Sequence, residues 1–383
     1  VGEPFNSDHD ASIWFDELNA VFDTSIAGQG FTATGGRFRH QSGAFFLARP
    51  DFTEFYANDR WDTGEFSVDG AMLDFGFGSV DLTVFGGKIG EGLETVSGDS
   101  FELNSMMRDL GDDEFNVEAI LGFELAAKLG EKGDVRGVYL LQDSYDVDSG
   151  MNRMTTYGGE LNYKAGNVDL YGVYSQPDFG YNTNVMLNSD NAAWAAWLAY
   201  NGTNWGADGG FAHVEGNFGA FGSWGRLGHF YNPSNIEGFA GSIWFKPSER
   251  LKVTGATAMF DGAEDTLGLF GLPLTNDDQV RSYSVNLDYM LNSAWDLSLG
   301  YESVDWTFAG GTIISGPFSD PNQRWYTVGL NHNLSDSAMV SIIYLMSDVN
   351  FDSSSGSGNP LDDPFGDSRY KGGILSTQFT FKY

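Results

Sequence analysis

The stretch NVEAILGFELAAKLGEKGDVRGVYLL, residues 116–141, decides the fold. Apolar side chains occupy every second position in each half of it, and a Gly-bearing turn at residues 130–133 separates the halves. Successive side chains of a β-strand point to opposite faces, so this period predicts two strands joined as a hairpin. Each strand has one apolar and one polar face. The polar positions include Glu118, Glu124, Lys128 and Arg136.

The same unit recurs along the whole chain. Similar hairpins turn at Gly166-Asn167, at residues 292–294 and at residues 335–337, and further tight turns fall near 27–30, 77–79, 201–204 and 247–250. Long polar connections lie between these hairpins, near residues 42–63, 89–115, 143–153, 176–191, 215–236, 261–279, 304–323 and 347–369. Short and long connections alternate throughout, so every long loop lies at one end of the sheet. This is the construction of an outer-membrane barrel and predicts an all-β, antiparallel, up-and-down transmembrane barrel with short periplasmic turns and long extracellular loops.

The alternation marks 17 segments, the last of which includes residues 375–383. Bacterial single-chain barrels have even strand numbers, so we expect about 18 strands, with 16 as the alternative. Either a closing strand precedes Val1, or one of two weaker segments, residues 32–40 and 66–75, is miscounted. Residues 1–10 form a short polar N-terminal segment, and residues 1–383 are expected to form a single barrel domain.

Composition narrows the class of protein. The net charge of −33, from 53 acidic and 20 basic residues, excludes a nucleic-acid partner, because such proteins neutralise phosphates with clustered Lys and Arg. The chain has no cysteine, so it has no disulfide, thiolate metal site or thiol nucleophile. It also lacks a run of about 18 apolar residues, which argues against spanning helices but not against spanning strands.

The alternation also predicts what each face contacts. A closed sheet of 16–18 strands is too wide for side chains to fill, so the polar face should line water and the apolar face should meet lipid. Aromatic side chains near strand ends suit the two membrane interfaces. The alternative is that they are core aromatics of a soluble β protein. The expected pore-lining residues are Glu118, Glu124, Arg136, Asp288 and Glu302, and the expected girdle residues are Trp205, Trp295, Tyr301, Trp325, Tyr344, Phe379, Phe381 and Tyr383.

The loop 89–115 is the candidate internal constriction. Residues 99–110 begin with helix-capping residue types and space their apolar side chains at helical intervals. Folded inward, the loop would narrow the pore and set its charge preference; folded outward, it would only cap the barrel. Its charged candidates are Glu102, Arg108, Asp109, Asp112 and Asp113.

Acidic residues are concentrated in three of the long connections, 89–115, 261–278 and 346–369. An acidic mouth would attract cations, although acidic loops also serve solubility alone. Oxygen ligands for calcium are present in the groups Asp143, Asp146, Asp148 and Asp261, Glu264, Asp265, but neither has EF-hand spacing, so no metal or cofactor is expected. The five histidines show no paired spacing, and no nucleophile motif occurs. The chain is expected not to be an enzyme.

The chain resembles the bacterial general porins and, more loosely, the barrel part of porins that carry an S-layer-homology anchor. The resemblance covers almost the whole chain and rests on hairpins such as residues 158–171 and on the terminal residues Phe379-Thr-Phe-Lys-Tyr383. It implies passive diffusion of ions and small hydrophilic solutes across the outer membrane, usually through homotrimers with a loop folded into each pore. It also implies recognition of the C-terminal strand by the barrel-assembly machinery. Tyr383 departs from that pattern, in which Phe is the usual last residue.

Two other functions stay open. A substrate-specific channel would present lumenal aromatics to sugars, and Trp197 and Trp244 decide this by the face on which they lie. A soluble all-β adhesin or surface protein is the second alternative, and it would need no detergent for extraction.

Overall fold

A computed structural model describes residues 17–26, 28–43, 45–48, 66–89, 117–144, 151–181, 189–222, 226–227, 230–231, 234–263, 278–308, 322–335, 337–350 and 369–381. These residues form β-strands joined by turns and irregular segments. In the described ranges, no helix has the length and hydrophobicity of a membrane span.

Seventeen long strands form one sheet. The first nine are β1 (Leu18–Ile26), β2 (Gln29–His40), β4 (Phe66–Phe77), β5 (Val80–Ile89), β6 (Val117–Lys128), β7 (Gly133–Ser144), β8 (Met151–Ala165), β9 (Val168–Tyr181) and β10 (Ala193–Asn201). The other eight are β11 (Trp205–Val214), β15 (Ile236–Ser248), β16 (Leu251–Gly262), β17 (Gln279–Met290), β18 (Trp295–Thr307), β19 (Asn322–Ser335), β20 (Ala338–Asn350) and β21 (Arg369–Phe381). Four two-residue strands lie in the long connections: β3 (Leu47–Ala48), β12 (Phe221–Gly222), β13 (Arg226–Leu227) and β14 (Phe230–Tyr231).

Each long strand pairs antiparallel with the next long strand along the chain, so the sheet is an up-and-down meander from β1 to β21. All eight tight turns predicted from the sequence fall between the two strands of a hairpin, and the strand ends that the eight long connections link all lie at the opposite end of the sheet. The architecture expected from the alternation is therefore confirmed.

Both of the weaker sequence segments form long strands, β2 and β4, so the described sheet has 17 strands rather than 16. Because neighbours are antiparallel and the number is odd, the edge strands β1 and β21 run in the same direction. Within the described residues these two edges do not pair with each other.

The two faces of the sheet differ as the alternation predicts over the middle of the strands. On β6, Leu121, Phe123 and Leu125 are exposed, whereas Ile120 and Glu124, at the alternate positions, are buried. We call the face with the exposed apolar side chains the outer face and the opposite one the inner face. Residues that face each other across neighbouring strands share a face, so the assignment extends from β6 around the sheet.

The inner face is not polar throughout, and this corrects the sequence expectation. Towards the long-loop end it carries large apolar side chains, which form one buried cluster with parts of two long connections. Because a single cluster joins inner-face residues from β2 to β20, the sheet must curve around it as a barrel does. Members of the cluster include Phe38, Phe66, Phe85, Leu140, Phe179, Phe260 and Trp306.

Candidate functional site

The connection after β2 folds against the inner face of the barrel. Phe45, Phe46 and Leu47 are each at most 2% exposed, although they belong to a loop. A tight reversal shapes the segment, since the amide nitrogens of Phe46 and Leu47 both donate to the carbonyl oxygen of Gly43 at 3.0 Å. We call residues 41–43 and 45–48 the inner segment.

A half-buried guanidinium group anchors the inner segment to the barrel wall. Arg136 on β7 lies between two carboxylates, with its Nη1 3.2 Å from Oε2 of Glu124 on β6 and its Nη2 bonded to Glu160 on β8. The same Nη2 donates to the backbone carbonyl of Ser42 at 2.9 Å. One cation thus joins three neighbouring strands to the inner segment. The strand register places Arg136 opposite Glu160, and it places Glu124 opposite Val138, which lies two residues from Arg136 on the same face of β7.

Further polar contacts satisfy the two carboxylates. Glu124 Oε1 accepts a hydrogen bond from the Ser42 hydroxyl and lies 2.8 Å from Nε2 of His40. The Tyr171 hydroxyl donates to Glu160 Oε1 at 3.1 Å. Buried charges are tolerated when they are paired and hydrogen-bonded. Every carboxylate oxygen of Glu124 and Glu160 has a partner here, and the guanidinium donates to both carboxylates and to the Ser42 carbonyl.

Gly43 lets the inner segment come this close to the wall. Its φ of +112° lies in the region that glycine adopts more readily than other residues. A Cβ built on Gly43 would also overlap the Glu160 carboxylate, lying 3.1 Å from its Cδ. Backbone and carboxylate therefore pack in direct contact here, which no other residue type permits without displacing one of them.

A second long connection meets the first inside the barrel. The Phe45 and Phe218 rings pack edge to face with centroids 5.6 Å apart, and β12 pairs in parallel with β3. On the wall, the Ser175 hydroxyl donates to the carbonyl oxygen of Phe45 at 2.7 Å. The inner segment and its neighbour thus occupy part of the space in front of the inner face at the long-loop end.

Below these two connections, aromatic side chains lie on the inner face. Trp197 faces Tyr171 across β9 and β10, and its Nε1 donates to Asp208 Oδ1 at 3.4 Å. Asp208 also accepts from the Ser242 hydroxyl. Two residues along β15 from Ser242, on the same face, is Trp244, with Lys246 Nζ 5.3 Å from its ring centroid. The two tryptophans that discriminate between functions therefore both lie on the inner face.

The predicted pore-lining residues fall into three groups. Glu124 and Arg136 come together at the inner segment, and Asp288 and Glu302 lie on the inner faces of β17 and β18. Glu118 belongs to β6, but its side chain lies outside the described part. The loop candidates Glu102, Arg108, Asp109, Asp112 and Asp113 are also outside the described residues, as is the whole predicted constriction loop apart from its first residue, Ile89.

Most of the described girdle candidates lie on the outer face. Trp205, Tyr301, Tyr344 and Phe379 are exposed there, and Trp295 stacks on His332 with centroids 4.0 Å apart. The assignment of Trp325 is wrong: it is 6% exposed and lies on the inner face opposite Glu302, because residue 326 rather than 325 has outward parity on β19. The outward position belongs to Tyr326, which packs on Tyr301. The side chains of Phe381 and Tyr383 are outside the described part.

The sequence analysis missed the inner segment, although a signal was present. The connection 42–63 is polar over most of its length, yet it opens with the apolar run Ala44-Phe45-Phe46-Leu47-Ala48. An apolar run in a long loop, next to a glycine, is typical of a segment that packs against something. What it packs against could not be deduced from the run itself.

The acidic groups considered for calcium are split by the structure. Asp143 pairs with Arg153 at 2.8 Å and Asp261 with Arg281 at 2.9 Å, while Asp146, Asp148, Glu264 and Asp265 lie outside the described residues. Over the ranges that the structure describes, no group of three or more His, Asp or Glu side chains is arranged to hold a metal ion.

Comparison with known proteins gives structural similarity alone. No protein-family model and no curated sequence matches the chain. Among solved structures it is similar to OccAB2 of Acinetobacter baumannii, with 12% identity, a TM-score of 0.46 and coverage of 94% of this chain and 90% of that one. It is also similar to OccK5 (OpdH) of Pseudomonas aeruginosa, with 9% identity, a TM-score of 0.43 and coverage of 96% and 82%. A bacterial polysaccharide outer membrane secretin matches with 10% identity, a TM-score of 0.43 and coverage of 79% and 86%. The function of this chain is therefore inferred from its own geometry.

Proposed function

We propose that this protein is an outer-membrane porin whose barrel encloses a water-filled channel for ions and small hydrophilic solutes. The observation that carries the proposal is the reversal of polarity between faces. Side chains such as Leu198, Phe239 and Val285 are more than half exposed on the outer face, while ionised residues lie on the inner face. Such a surface is unfavourable in water and favourable in a bilayer, which needs an apolar band about 25 Å tall.

The inner segment is proposed as the constriction of this channel. It is held by Arg136, Glu124 and Glu160, and it narrows the lumen on the side of the long loops. The loop 89–115 remains a further candidate. Solutes would pass where the charged cluster and the apolar residues of the two inward connections leave room, so both size and charge should restrict them.

A preference for cations is supported by the charges of the inner face. Acidic residues outnumber basic ones there, and a wall of one sign enriches the opposite ion within the Debye length. The acidic residues are Asp23, Asp74, Asp81, Glu124, Asp134, Glu160, Asp169, Asp208, Asp288, Asp296 and Glu302, against Lys128, Arg136, Lys164, Lys246 and Lys252.

Conductance across a planar bilayer tests the proposal. Purified protein should give stepwise conductance, and the reversal potential in a KCl gradient should show K⁺ crossing more readily than Cl⁻. The preference should weaken in concentrated salt, where the Debye length falls to about 3 Å at 1 M. Protein that is folded by heat-modifiable gel migration but does not conduct would contradict the channel, and anion preference would contradict the role of the acidic wall.

A substrate-specific channel is a second candidate, favoured by the position of Trp197 and Trp244. Aromatic faces bind the apolar faces of sugars, while carboxylates and hydroxyls accept and donate to sugar hydroxyls. Tyr171, Trp197, Asp208, Ser242 and Trp244 supply both kinds of group on neighbouring strands of the inner wall. These residues would form a sugar-binding surface that extends from the constriction towards the short-turn end.

Current block by a linear glucose oligomer separates the two candidates. In a substrate-specific channel the oligomer should block the current, and Trp197→Ala should weaken the block about two- to tenfold, the worth of one stacked ring. The matched control is Trp205→Ala, which removes an exposed outer-face tryptophan. Equal block in both variants and the parent, or no block at all, would leave only the general diffusion channel.

The partners of the protein follow from the same proposal. Outer-membrane lipid would surround the outer face, the barrel-assembly machinery would insert the chain, and three copies would associate as the resemblance to general porins implies. Chemical cross-linking in native membranes should then give a trimer ladder on a denaturing gel, and a monomer alone would contradict that assembly.

A further inference from the structure

Several ion pairs lie on the described outer face near the long-loop end, including Arg37–Asp69 and Lys371–Asp348. Three further arginine–aspartate pairs lie at one level of this face. They join Asp143 to Arg153 at 2.8 Å, Asp261 to Arg281 at 2.9 Å, and Asp305 to Arg324 at 2.8 Å. Each joins two strands that a long connection links. We call these six residues the outer arginine belt.

Strand parity places the belt on the lipid side. Arg281 has the same parity on β17 as the exposed Tyr283 and Val285, and Arg324 has the same parity on β19 as the exposed Tyr326. Arg153 likewise shares its face with Tyr157 on β8. The channel constriction and its Arg136 lie on the other face, so the belt plays no part in the lumen.

The distance from the aromatic residues fixes the depth of the belt. Tyr283 and Tyr326 follow the arginines by two residues, and Tyr157 follows Arg153 by four. At about 3.4 Å per residue, the belt lies roughly 7–14 Å along the strands beyond the tyrosines, towards the long loops. Tyrosine side chains concentrate at the border of the hydrocarbon core, so the belt falls in the layer of lipid headgroups.

The most exposed pair of the belt is the one between Asp143 and Arg153. The side chain of Arg153 is 59% exposed and that of Asp143 is 53% exposed, and such exposed pairs contribute only about 0–1 kcal/mol to stability. An arginine has five N–H donors in a planar fork, and the pair with Asp143 uses the one at Nε. At Arg153 the carboxylate therefore fixes the guanidinium on the strand and leaves donors for a second acceptor. Arg281 also donates to the backbone carbonyls of Phe260 and Val280 and to Gln279 Oε1. Arg324 also donates to the Gln323 carbonyl.

From this geometry we propose that the outer arginine belt binds the phosphate groups of phosphorylated lipids in the outer leaflet. Guanidinium groups recognise phosphate through paired hydrogen bonds, and a basic residue at a membrane surface strengthens binding of anionic lipid. The acidic partners position the arginines and make no phosphate contact. The inference rests on the proposed function, because the belt meets headgroups only if the apolar outer face lies in a bilayer.

Lipid retention tests the belt directly. The parent and a variant with Arg153→Gln, Arg281→Gln and Arg324→Gln would be placed in phosphatidylcholine bilayers containing phosphatidic acid. Native mass spectrometry after extraction then gives the ratio of bound phosphatidic acid to bound phosphatidylcholine. We expect the parent to enrich phosphatidic acid. Each ion pair of the belt contains one arginine, and one basic side chain near an anionic surface contributes about a fivefold factor, so the enrichment in the variant should be about fivefold lower.

Two matched variants separate phosphate binding from net charge and from structural support. Replacing Lys128, Lys164 and Lys252 by Gln removes the same charge from the inner face at the short-turn end, and should leave the enrichment unchanged. Replacing Asp143, Asp261 and Asp305 by Asn breaks the same ion pairs but keeps the arginines, and should also retain it. Loss in either variant equal to that in the arginine variant would overturn the proposal.

Two further measurements complete the test. Inorganic phosphate at millimolar concentration should not displace the lipid, and full displacement would assign the belt to free phosphate instead. Conductance and heat-modifiable migration are recorded on the same preparations. A folded, conducting parent without phosphatidic acid enrichment refutes the belt alone, whereas a non-conducting parent refutes the channel.

Discussion

Arg136→Met should release the inner segment and open the channel. In the parent, the guanidinium bonds both Glu124 and Glu160, whose side chains are 8% and 4% exposed, and also the Ser42 carbonyl. Methionine keeps much of the length and the apolar stem but removes the charge and the donors. Two buried carboxylates then face each other without the guanidinium, and the inner segment loses the hydrogen bond from Arg136 while those to Glu124 and from Ser175 remain.

The size of the effect follows from burial. Removing one partner of a buried ion pair costs about 3–5 kcal/mol, because the remaining charge is left unpaired. If the barrel relieves that cost by releasing the inner segment, the equilibrium between narrowed and open channel shifts by roughly 10²- to 4 × 10³-fold, at about 1.4 kcal/mol for each factor of ten. The variant should therefore stay mainly in a state of higher conductance.

Single-channel recording measures this, with Arg153→Met as the matched control. That arginine also pairs with an aspartate across two strands, but it lies on the outer face with both side chains more than half exposed. Its loss should cost about 0–1 kcal/mol and leave the conductance unchanged. If Arg136→Met folds, by heat-modifiable migration, and shows the conductance and dwell times of the parent, Arg136 does not hold a constriction.

Three further results are expected. Gly43→Ala should raise conductance as Arg136→Met does, because the added Cβ overlaps the Glu160 carboxylate at an overpacking cost of about 1–3 kcal/mol. Gly28→Ala is the control, since Gly28 also has a positive φ but a Cβ there has no neighbour within 4 Å, and it should leave conductance unchanged. Equal conductance of the two variants would refute the close approach of Gly43 to Glu160. Val285→Arg should lower the free energy of unfolding from lipid vesicles by about 2–4 kcal/mol, since it places a charge in the bilayer, and denaturant titration measures this. Asp288→Arg, three residues away on the inner face, should have a much smaller effect, and a cost near zero at Val285 would instead indicate a face that meets water.

The polarity of each strand face could be predicted from the sequence, because it depends on only a few neighbouring residues. The order of Leu121, Phe123 and Leu125 around Glu124 determines which side chains share a surface, whatever the strand packs against. The turns were predictable for the same reason, since hairpin connections depend on local residue types such as Gly166-Asn167.

The predicted site was only partly right, because the lumen is filled by contacts between distant residues. The Ser42 hydroxyl reaches Glu124, and Ser175 reaches the Phe45 carbonyl, across 82 and 130 residues of sequence. Nothing in the alternation shows which loop enters the barrel. The assignment of Trp325 failed for a smaller reason: Trp325 and Tyr326 are adjacent aromatics, and only the register with β18 shows which one faces outward.

The sequence by itself determined a meander of two-faced strands with tight turns at one end and long connections at the other. Periodicity, glycine placement and the apolar character of one face are local, and every strand repeats them. Only the tertiary structure decided that the inner segment lies against the inner face, that Arg136 joins Glu124 and Glu160 beneath it, and that Trp197 and Trp244 lie on the inner wall. These arrangements depend on the curvature of the sheet, which brings residues of non-adjacent strands and loops together. They also depend on buried charges, which are stable only when all their hydrogen-bond partners are in place.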